Sequence, residues 1–249
     1  MKTLLFIGCL PFVFISSCSN SIPNPEVEKI NYRDYFYPLT ELATPRVYCY
    51  ISDSTKERTY DEVQCLINGS DTMLVTTSYD SLFRIESIAK EQITPDSSFT
   101  ITFVMRQYDS SGKSFDFPIN YTSSAINWQQ TLTDSNIINQ DAMIDMIKTY
   151  VHYITKGHFE KVRQPIAHLK YGINDLVALK LDVEMTTSEA FADGKKLFTS
   201  KYIIYYARNV GKVYEIFSGP LDPNELKSSR LDTIISIEEF NKLKLNDRK

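Results

Sequence analysis

The sequence predicts a mainly β fold of the α+β class: a curved antiparallel meander sheet or half-barrel with one long packed helix and a short C-terminal helix. Between residues 47 and 132, apolar side chains recur at every second position, which is typical of half-buried strands. The period changes to 3.6 residues over 136–154 and returns to two over 177–217. The chain also has 16 Tyr and 14 Phe against 8 Gly, and aromatic residues are enriched in strands.

The first residues have the form of an export signal. Lys2 precedes an apolar run over residues 4–15, and about 12 residues are too few to span a bilayer. The run ends in Ile15-Ser16-Ser17-Cys18, which resembles the lipobox of bacterial lipoproteins. This resemblance implies a lipoprotein signal peptide at 1–17, cleavage before Cys18 and acylation of its sulfur, with palmitate or a similar acyl group. A plain secretory signal cut elsewhere is the alternative.

The residues after Cys18 predict how the protein is tethered. Pro23 and Pro25 lie among Ser and Asn, so residues 18–33 are interpreted as an acylated tether and 34–249 as a single mainly antiparallel β domain. Two or three acyl chains anchor a protein stably. In the sorting rule of such lipoproteins, Asp after the acylated cysteine retains them at the inner membrane. Ser19 therefore implies an outer-membrane anchor, and the absence of an acidic cluster behind it implies a periplasm-facing domain.

The charge of the chain excludes some partners. Residues 1–17 contain Lys2 as their one charged residue, so the mature chain has 26 Lys and Arg against 31 Asp and Glu, a net charge of −5. This balance argues against nucleic acid as a partner and against an anionic membrane face. The predicted partners are the membrane, through Cys18, and a lipid or an envelope protein.

Two cysteines remain in the mature domain, and their state is open. Cys49 and Cys65 lie in strand-like runs at 47–51 and 63–67. If the loop between them closes symmetrically, residue 49 faces 65, and a disulfide can form in an oxidising compartment. The alternative is two reduced cysteines used as small core residues.

The first meander continues from this hairpin. Residues 68–71 (Asn-Gly-Ser-Asp) predict a turn, and further strands are predicted at 73–79, 82–88, 99–106 and 113–119. Over 136–154, Met143, Ile147, Tyr150 and Ile154 form one row of a predicted amphipathic helix, with Gly157 as its stop. Core packing is the simplest role for that helix, and gating of a ligand is the alternative. For 158–170 we expect a short helical turn and a loop, because Pro165 interrupts any long helix.

A second meander follows. Strict alternation predicts a strand at 177–186, and turns at 192–194 and 209–211 separate it from strands at 197–207 and 213–217. A last strand is predicted at 231–235. Ser236-Ile237-Glu238-Glu239 has the form of a capping box that opens a short C-terminal helix through Phe240 and Leu243.

Two segments of the mature chain resemble uncharacterised envelope lipoproteins. Tyr35-Phe36-Tyr37-Pro38-Leu39 is similar to their aromatic FPL opening, and residues 202–213 (YIIYYARNVGKV) are similar to their YYA-x-x-VG-x-V hairpin. Those proteins are similar in turn to the lipoprotein-localisation carriers, so the resemblance implies a curved antiparallel sheet with a hydrophobic cavity. The chain lacks the glycine and tryptophan that often follow the leucine.

Chemical motifs are sparse. His152, His158 and His168, with Glu160, are interpreted as surface or capping residues, and no metal or other cofactor is predicted. Asp61 and Glu62 are adjacent along the chain and are expected to be solvated. Asp71-Thr72-Met73, Asp80-Ser81-Leu82 and Asp232-Thr233-Ile234 resemble the acceptor of a general O-glycosylation system of some Gram-negative bacteria.

These observations predict a membrane-anchored envelope lipoprotein that is not an enzyme. Its concave sheet is expected to bind a lipid or other hydrophobic ligand, lined by Phe103, Met105, Leu181 and Tyr205; the alternative is that these residues are simply core. A second hypothesis is an interaction module of an outer-membrane assembly or glycan-uptake complex. A hydrolase is the third, and it lacks a recognisable nucleophile.

Overall fold

Antiparallel strands make up most of the structure, which is a computed structural model that describes residues 29–69, 71–121, 125–131, 136–144, 149–162, 178–191, 194–218 and 226–247. The predicted mainly β class is confirmed. In chain order the strands are β1 (Lys29–Asn31), β2 (Arg46–Ser52), β3 (Arg58–Asn68), β4 (Asp71–Tyr79), β5 (Ile85–Ile93), β6 (Ser97–Tyr108), β7 (Ser114–Tyr121), β8 (Ala125–Asn127), β9 (Gln129–Thr131), β10 (Asn136–Ile144), β11 (Thr149–Val162), β12 (Ala178–Phe191), β13 (Gly194–Ala207), β14 (Gly211–Ser218) and β15 (Leu226–Ser236).

The sheet curls round an interior, which confirms the predicted curvature. Among the described strands, thirteen form one sheet in the order β5-β4-β3-β2-β15-β14-β13-β12-β11-β10-β7-β6-β8. β5 also pairs with β6, so the two ends of this order meet. β1 and β9 pair separately from the large sheet. Because neighbouring strands are antiparallel throughout, the inward positions of one strand lie beside inward positions of the next.

The N-terminal segment fills one end of the interior. Two 3-10 turns, Tyr32–Tyr35 and Glu41–Ala43, precede β2. Tyr32 and Tyr35 of the first turn and Leu42 of the second join the inner core of the sheet. That core contains Ile30, Tyr32, Tyr35, Phe36, Leu42, Tyr48, Tyr50, Val63, Cys65, Leu74, Ile93, Trp128, Ala207, Val213 and Leu231. The Tyr32 backbone N–H donates to the carbonyl of Trp128 at 2.6 Å, and that of Asn209 donates to the carbonyl of Asp34 at 2.9 Å. The segment is therefore attached to the sheet at two places.

The predicted C-terminal helix is confirmed as α1 (Ile237–Asp247). Its capping box is present: the Ser236 backbone N–H donates to Glu239 Oε2 at 2.9 Å, and the Glu239 N–H donates to Ser236 Oγ at 3.2 Å. Phe240 is fully buried in an outer core with Val47, Cys49, Tyr60 and Tyr79. The helix thus lies nearest β15 and β2, on the side of the sheet opposite the inner core, and Phe240 reaches Tyr60 of β3 and Tyr79 of β4.

The long packed helix predicted over 136–154 is wrong. This stretch contains β10 and the start of β11, which pair with each other so that Asn139 lies opposite Ile154. Gly157, the predicted helix stop, and residues 158–162, where we expected a helical turn and loop, also lie in β11. From Thr149 to Thr155 the residues at both alternating positions are β-branched or aromatic apart from His152, which suits a strand paired on both sides. β11 has such neighbours in β10 and β12.

The symmetric cysteine hairpin is also wrong. Cys49 pairs with Tyr60, not with Cys65, and Cys65 pairs with Leu74. The register differs from the predicted one by an odd number of residues, which moves every β3 side chain to the other face. Cys49 therefore lies in the outer core and Cys65 in the inner core, and both thiols are free.

The predicted signal peptide at 1–17 and Cys18 lie outside the described residues. Within the predicted tether, Lys29–Asn31 already forms β1 and pairs with β9. No helix among the described residues has the length and hydropathy needed to cross a membrane.

Candidate functional site

A cavity of about 700 Å³ opens at one end of the curled sheet. Its walls come from the β2–β3 connection, from the end of β4 with the start of β5, and from the facing ends of β14 and β15. The antiparallel register brings these strand ends together, since Ser52 pairs with Ser229 and Ser78 pairs with Ser87. β14 runs from the N-terminal segment towards this cavity, so the cavity lies at the end of the sheet opposite the described residues 29–45.

The inner face changes character along the strands. On β3 the inward residues are Thr59 and Asp61 near the cavity and Val63 and Cys65 near the inner core. Eight serine and threonine side chains line the cavity: Ser52, Ser54, Thr55, Thr59, Ser78, Ser87, Ser228 and Ser229. The sheet therefore has an apolar end, filled by its own N-terminal segment, and a polar end that is open.

An ion-paired lysine lies at the boundary between the two ends. Lys212 Nζ is 2.9 Å from Glu215 Oε2 and 3.8 Å from Asp61 Oδ2. The ammonium also lies 4.9 Å from the centre of the Tyr50 ring, a cation–π distance. Ser78 Oγ donates to Asp61 Oδ1 at 2.7 Å. Asp61 is consequently a largely buried, hydrogen-bonded carboxylate, and its expected exposure to solvent is wrong.

A β-bulge places Lys212 in this network. Tyr205 pairs with Tyr214, but the next residue, Tyr206, pairs with Lys212, which leaves Val213 as the extra residue. Strand residues three apart normally point to opposite faces. The bulge cancels one residue of this alternation, so Lys212 and Glu215 meet on one side.

The network keeps Lys212 charged. Burial lowers the pKa of the ammonium, but Glu215 and Asp61 raise it by more, so that the net shift is upwards. A protonated amine has no lone pair for nucleophilic attack or for abstracting a proton. The charged lysine is suited to fixing the positions of the Asp61 and Glu215 carboxylates inside the cavity.

A second cluster fixes the rim. Arg230 forms an ion pair with Asp53, and Ser228 Oγ donates to Asp53 Oδ2 at 2.9 Å. The Asp53 backbone N–H donates to the carbonyl of Ser228 at 3.0 Å. These bonds join the β2–β3 connection to β15 and set the position of one wall.

The predicted ligand-lining residues are spread over the sheet. Phe103 is half-buried and Met105 is 37 % exposed, both on β6. Tyr205 is half-buried against the inner core. Leu181 lies in β12, and its side chain is outside the described residues. The four are not among the residues that line the polar cavity, and their role stays a prediction.

The histidines do not converge in the part of the chain that is described. His152 and His158 both lie in β11, and six residues of strand span about 20 Å; His168 falls in the undescribed segment 163–177. No group of three potential metal-ligating side chains occurs among the described residues.

The three O-glycosylation-like tripeptides have different settings. Thr72 is in β4 and Thr233 is in β15, where both pair with neighbouring strands. Ser81 lies in the β4–β5 turn, beside Leu82, which is 60 % exposed. Asp80 holds that turn by accepting hydrogen bonds from the backbone N–H groups of Leu82 and Arg84.

Comparison with known proteins gives distant likeness only. No known family matches the chain, and no curated protein matches it. A crystal structure of a candidate lipoprotein from Parabacteroides distasonis is 12% identical, covers 80% of this chain and 97% of that one, and has a TM-score of 0.46. A candidate exported protein with a YmcC-like fold from Bacteroides fragilis is 11% identical, covers 76% and 93%, and has a TM-score of 0.41. Neither likeness is strong enough to assign a family.

Proposed function

We propose that this chain is a non-enzymatic lipoprotein of the bacterial envelope that binds a small polar ligand in the cavity beside Lys212. Export and anchoring through an acylated Cys18 are supported by the lipobox-like sequence at its N-terminus. Ser19 supports an outer-membrane anchor, and the lack of acidic residues over 19–22 supports a domain that faces the periplasm.

The observation that carries the binding role is the open, hydroxyl-lined cavity at the end of the sheet opposite the inner core. Cavities of about 300–1,000 Å³ are typical of small-molecule sites, and this one has about 700 Å³. Hydrophobic packing alone would fill the interior with apolar side chains, as it does at the opposite end. An acyl chain would displace water from the hydroxyl and carboxylate groups of this cavity without offering them hydrogen bonds, which is unfavourable.

Native mass spectrometry of the protein purified from its own envelope tests this proposal. We expect a bound polar small molecule in the wild type and its loss in Ser229→Trp, which places an indole in the cavity. A fatty acid or phospholipid retained equally by both proteins would instead support the hydrophobic-ligand hypothesis and contradict a polar site.

The interaction-module hypothesis has its own supporting observation. Leu66 and Ile67, near the β3–β4 turn, are 44 % and 64 % exposed, and exposed apolar residues can mark contact surfaces. Crosslinking groups placed at position 67 and, as a control, at position 109 would distinguish an interaction module from a ligand-binding protein in intact envelopes. A partner captured at 67 alone would favour the module.

A further inference from the structure

From the same cavity we infer the class of its ligand: a small polyhydroxylated molecule without negative charge, of the size of a mono- or disaccharide. This inference rests on the proposed binding function and specifies the chemistry that the site recognises. Three features of the lining lead to it: the charge balance, the hydrogen-bonding groups and one aromatic wall.

The charge balance disfavours anionic ligands. The lining contains four carboxylates, Glu57, Asp61, Glu86 and Glu215, and two lysines. Lys212 is already bound by Asp61 and Glu215, and Lys227 also has an interaction of its own. A phosphate or fatty-acid carboxylate entering the cavity would meet a lining of net negative charge, which repels anions.

The hydrogen-bonding groups favour hydroxyls on the ligand. Each serine or threonine hydroxyl both donates and accepts, whereas a carboxylate only accepts. Five of these hydroxyls, those of Ser52, Ser54, Thr55, Ser78 and Ser228, already hydrogen-bond within the protein. The lining therefore presents donors and acceptors side by side, and a ligand that matches it must carry both close together. Polyols have this property, and carboxylate acceptors form short, charge-assisted bonds with hydroxyl donors.

An aromatic wall supplies an apolar surface. Phe217 lines the cavity, and its ring stacks on Tyr202 with centroids 4.8 Å apart and an interplanar angle of 29°. The stacking fixes the Phe217 ring from behind. The C–H face of a sugar ring can therefore bury apolar area against Phe217 while its hydroxyls contact the polar wall.

The test is saturation-transfer NMR and calorimetry on the acylated full-length protein in phosphatidylcholine nanodiscs. The probes are maltose, cellobiose and N,N′-diacetylchitobiose, with spermidine and palmitate as cationic and hydrophobic alternatives. We expect at least one neutral disaccharide to bind. Phe217→Ala should weaken that binding at least tenfold, while Phe115→Ala, an exposed phenylalanine on β7, should leave it unchanged.

A second variant keeps the proposal testable if Phe217→Ala fails to fold. Ser87→Phe narrows the cavity from the β5 side without removing a packed ring, and we expect it to abolish binding while the circular dichroism spectrum is retained. Binding of spermidine or palmitate alone, or equal affinities for the Phe217 and Phe115 variants, would overturn the polyol assignment. Spermidine binding lost in Ser87→Phe would overturn only the ligand class and leave the proposed polar site intact.

Discussion

Gly211 tests the contact between the N-terminal segment and the sheet. Its φ of +96° is unfavourable for L-residues, and a Cβ at this position would lie 2.7 Å from Cδ1 of Tyr37. A left-handed backbone costs about 1–2 kcal/mol in an L-residue, and overpacking against a fixed ring adds about 1–3 kcal/mol. We therefore expect Gly211→Ala to lower the free energy of unfolding by about 2–5 kcal/mol.

A matched glycine separates the two contributions. Gly112 has a φ of +82°, and a Cβ added there would have nothing within 4 Å, so Gly112→Ala should cost only the backbone part, about 1–2 kcal/mol. Urea unfolding followed by Trp128 fluorescence measures both variants. Adding Tyr37→Leu should relieve the clash, so the double variant should lose less than the sum of the single losses. Equal losses for the two glycine variants, or strict additivity with Tyr37→Leu, would refute the proposed packing of the N-terminal segment.

Three further predictions concern buried polar groups. Lys212→Met leaves Asp61 and Glu215 without their cation and should lower the free energy of unfolding by about 1–3 kcal/mol. This is below the range for a fully buried pair because the lysine side chain is 25% exposed. Urea unfolding at pH 7 should show a larger loss for this variant than for the exposed control Lys56→Met. Burial raises the pKa of Glu91, although the hydrogen bond from Ser98 opposes this. The folded state therefore favours the protonated acid, and stability should fall as the pH rises from the ordinary glutamate pKa through the raised one; Glu91→Gln should remove this loss, and identical pH profiles for the two proteins would contradict it. Burial raises the pKa of Cys49 to about 11 and also raises that of Cys65. Iodoacetamide should therefore modify both thiols only after denaturation. A disulfide-linked peptide in tryptic digests would contradict the observed register.

The parts of the fold with a distinct local pattern could be predicted. The Ser236–Glu239 capping box specified the start of α1 by its own hydrogen bonds, and strict alternation located β12 and the following hairpin. The 136–154 stretch could not be assigned in this way because its apolar spacing fits a helix as well as a strand. The pairing of β10 with β7 and of β11 with β12, which local spacing does not encode, places this stretch in the sheet.

The candidate site depended on details that local patterns do not contain. The position of Cys65 followed from a strand register set by the β2–β3 connection, and Lys212 reaches Glu215 only because of the bulge opposite Tyr206. The adjacency of Asp61 and Glu62 along the chain predicts two solvated acids, because it gives no sign of the strand register that brings Asp61 to Ser78 and Lys212. A usable signal was the inward series Thr59, Asp61, Val63 and Cys65, in which polarity changes once along the strand.

Metabolic labelling with a clickable palmitate analogue tests the central claim, that this is a lipid-anchored envelope protein, most directly. We expect label on the wild-type chain and none on Cys18→Ala, with the labelled protein in the outer-membrane fraction. The absence of label from both proteins, or equal labelling of both, would contradict it.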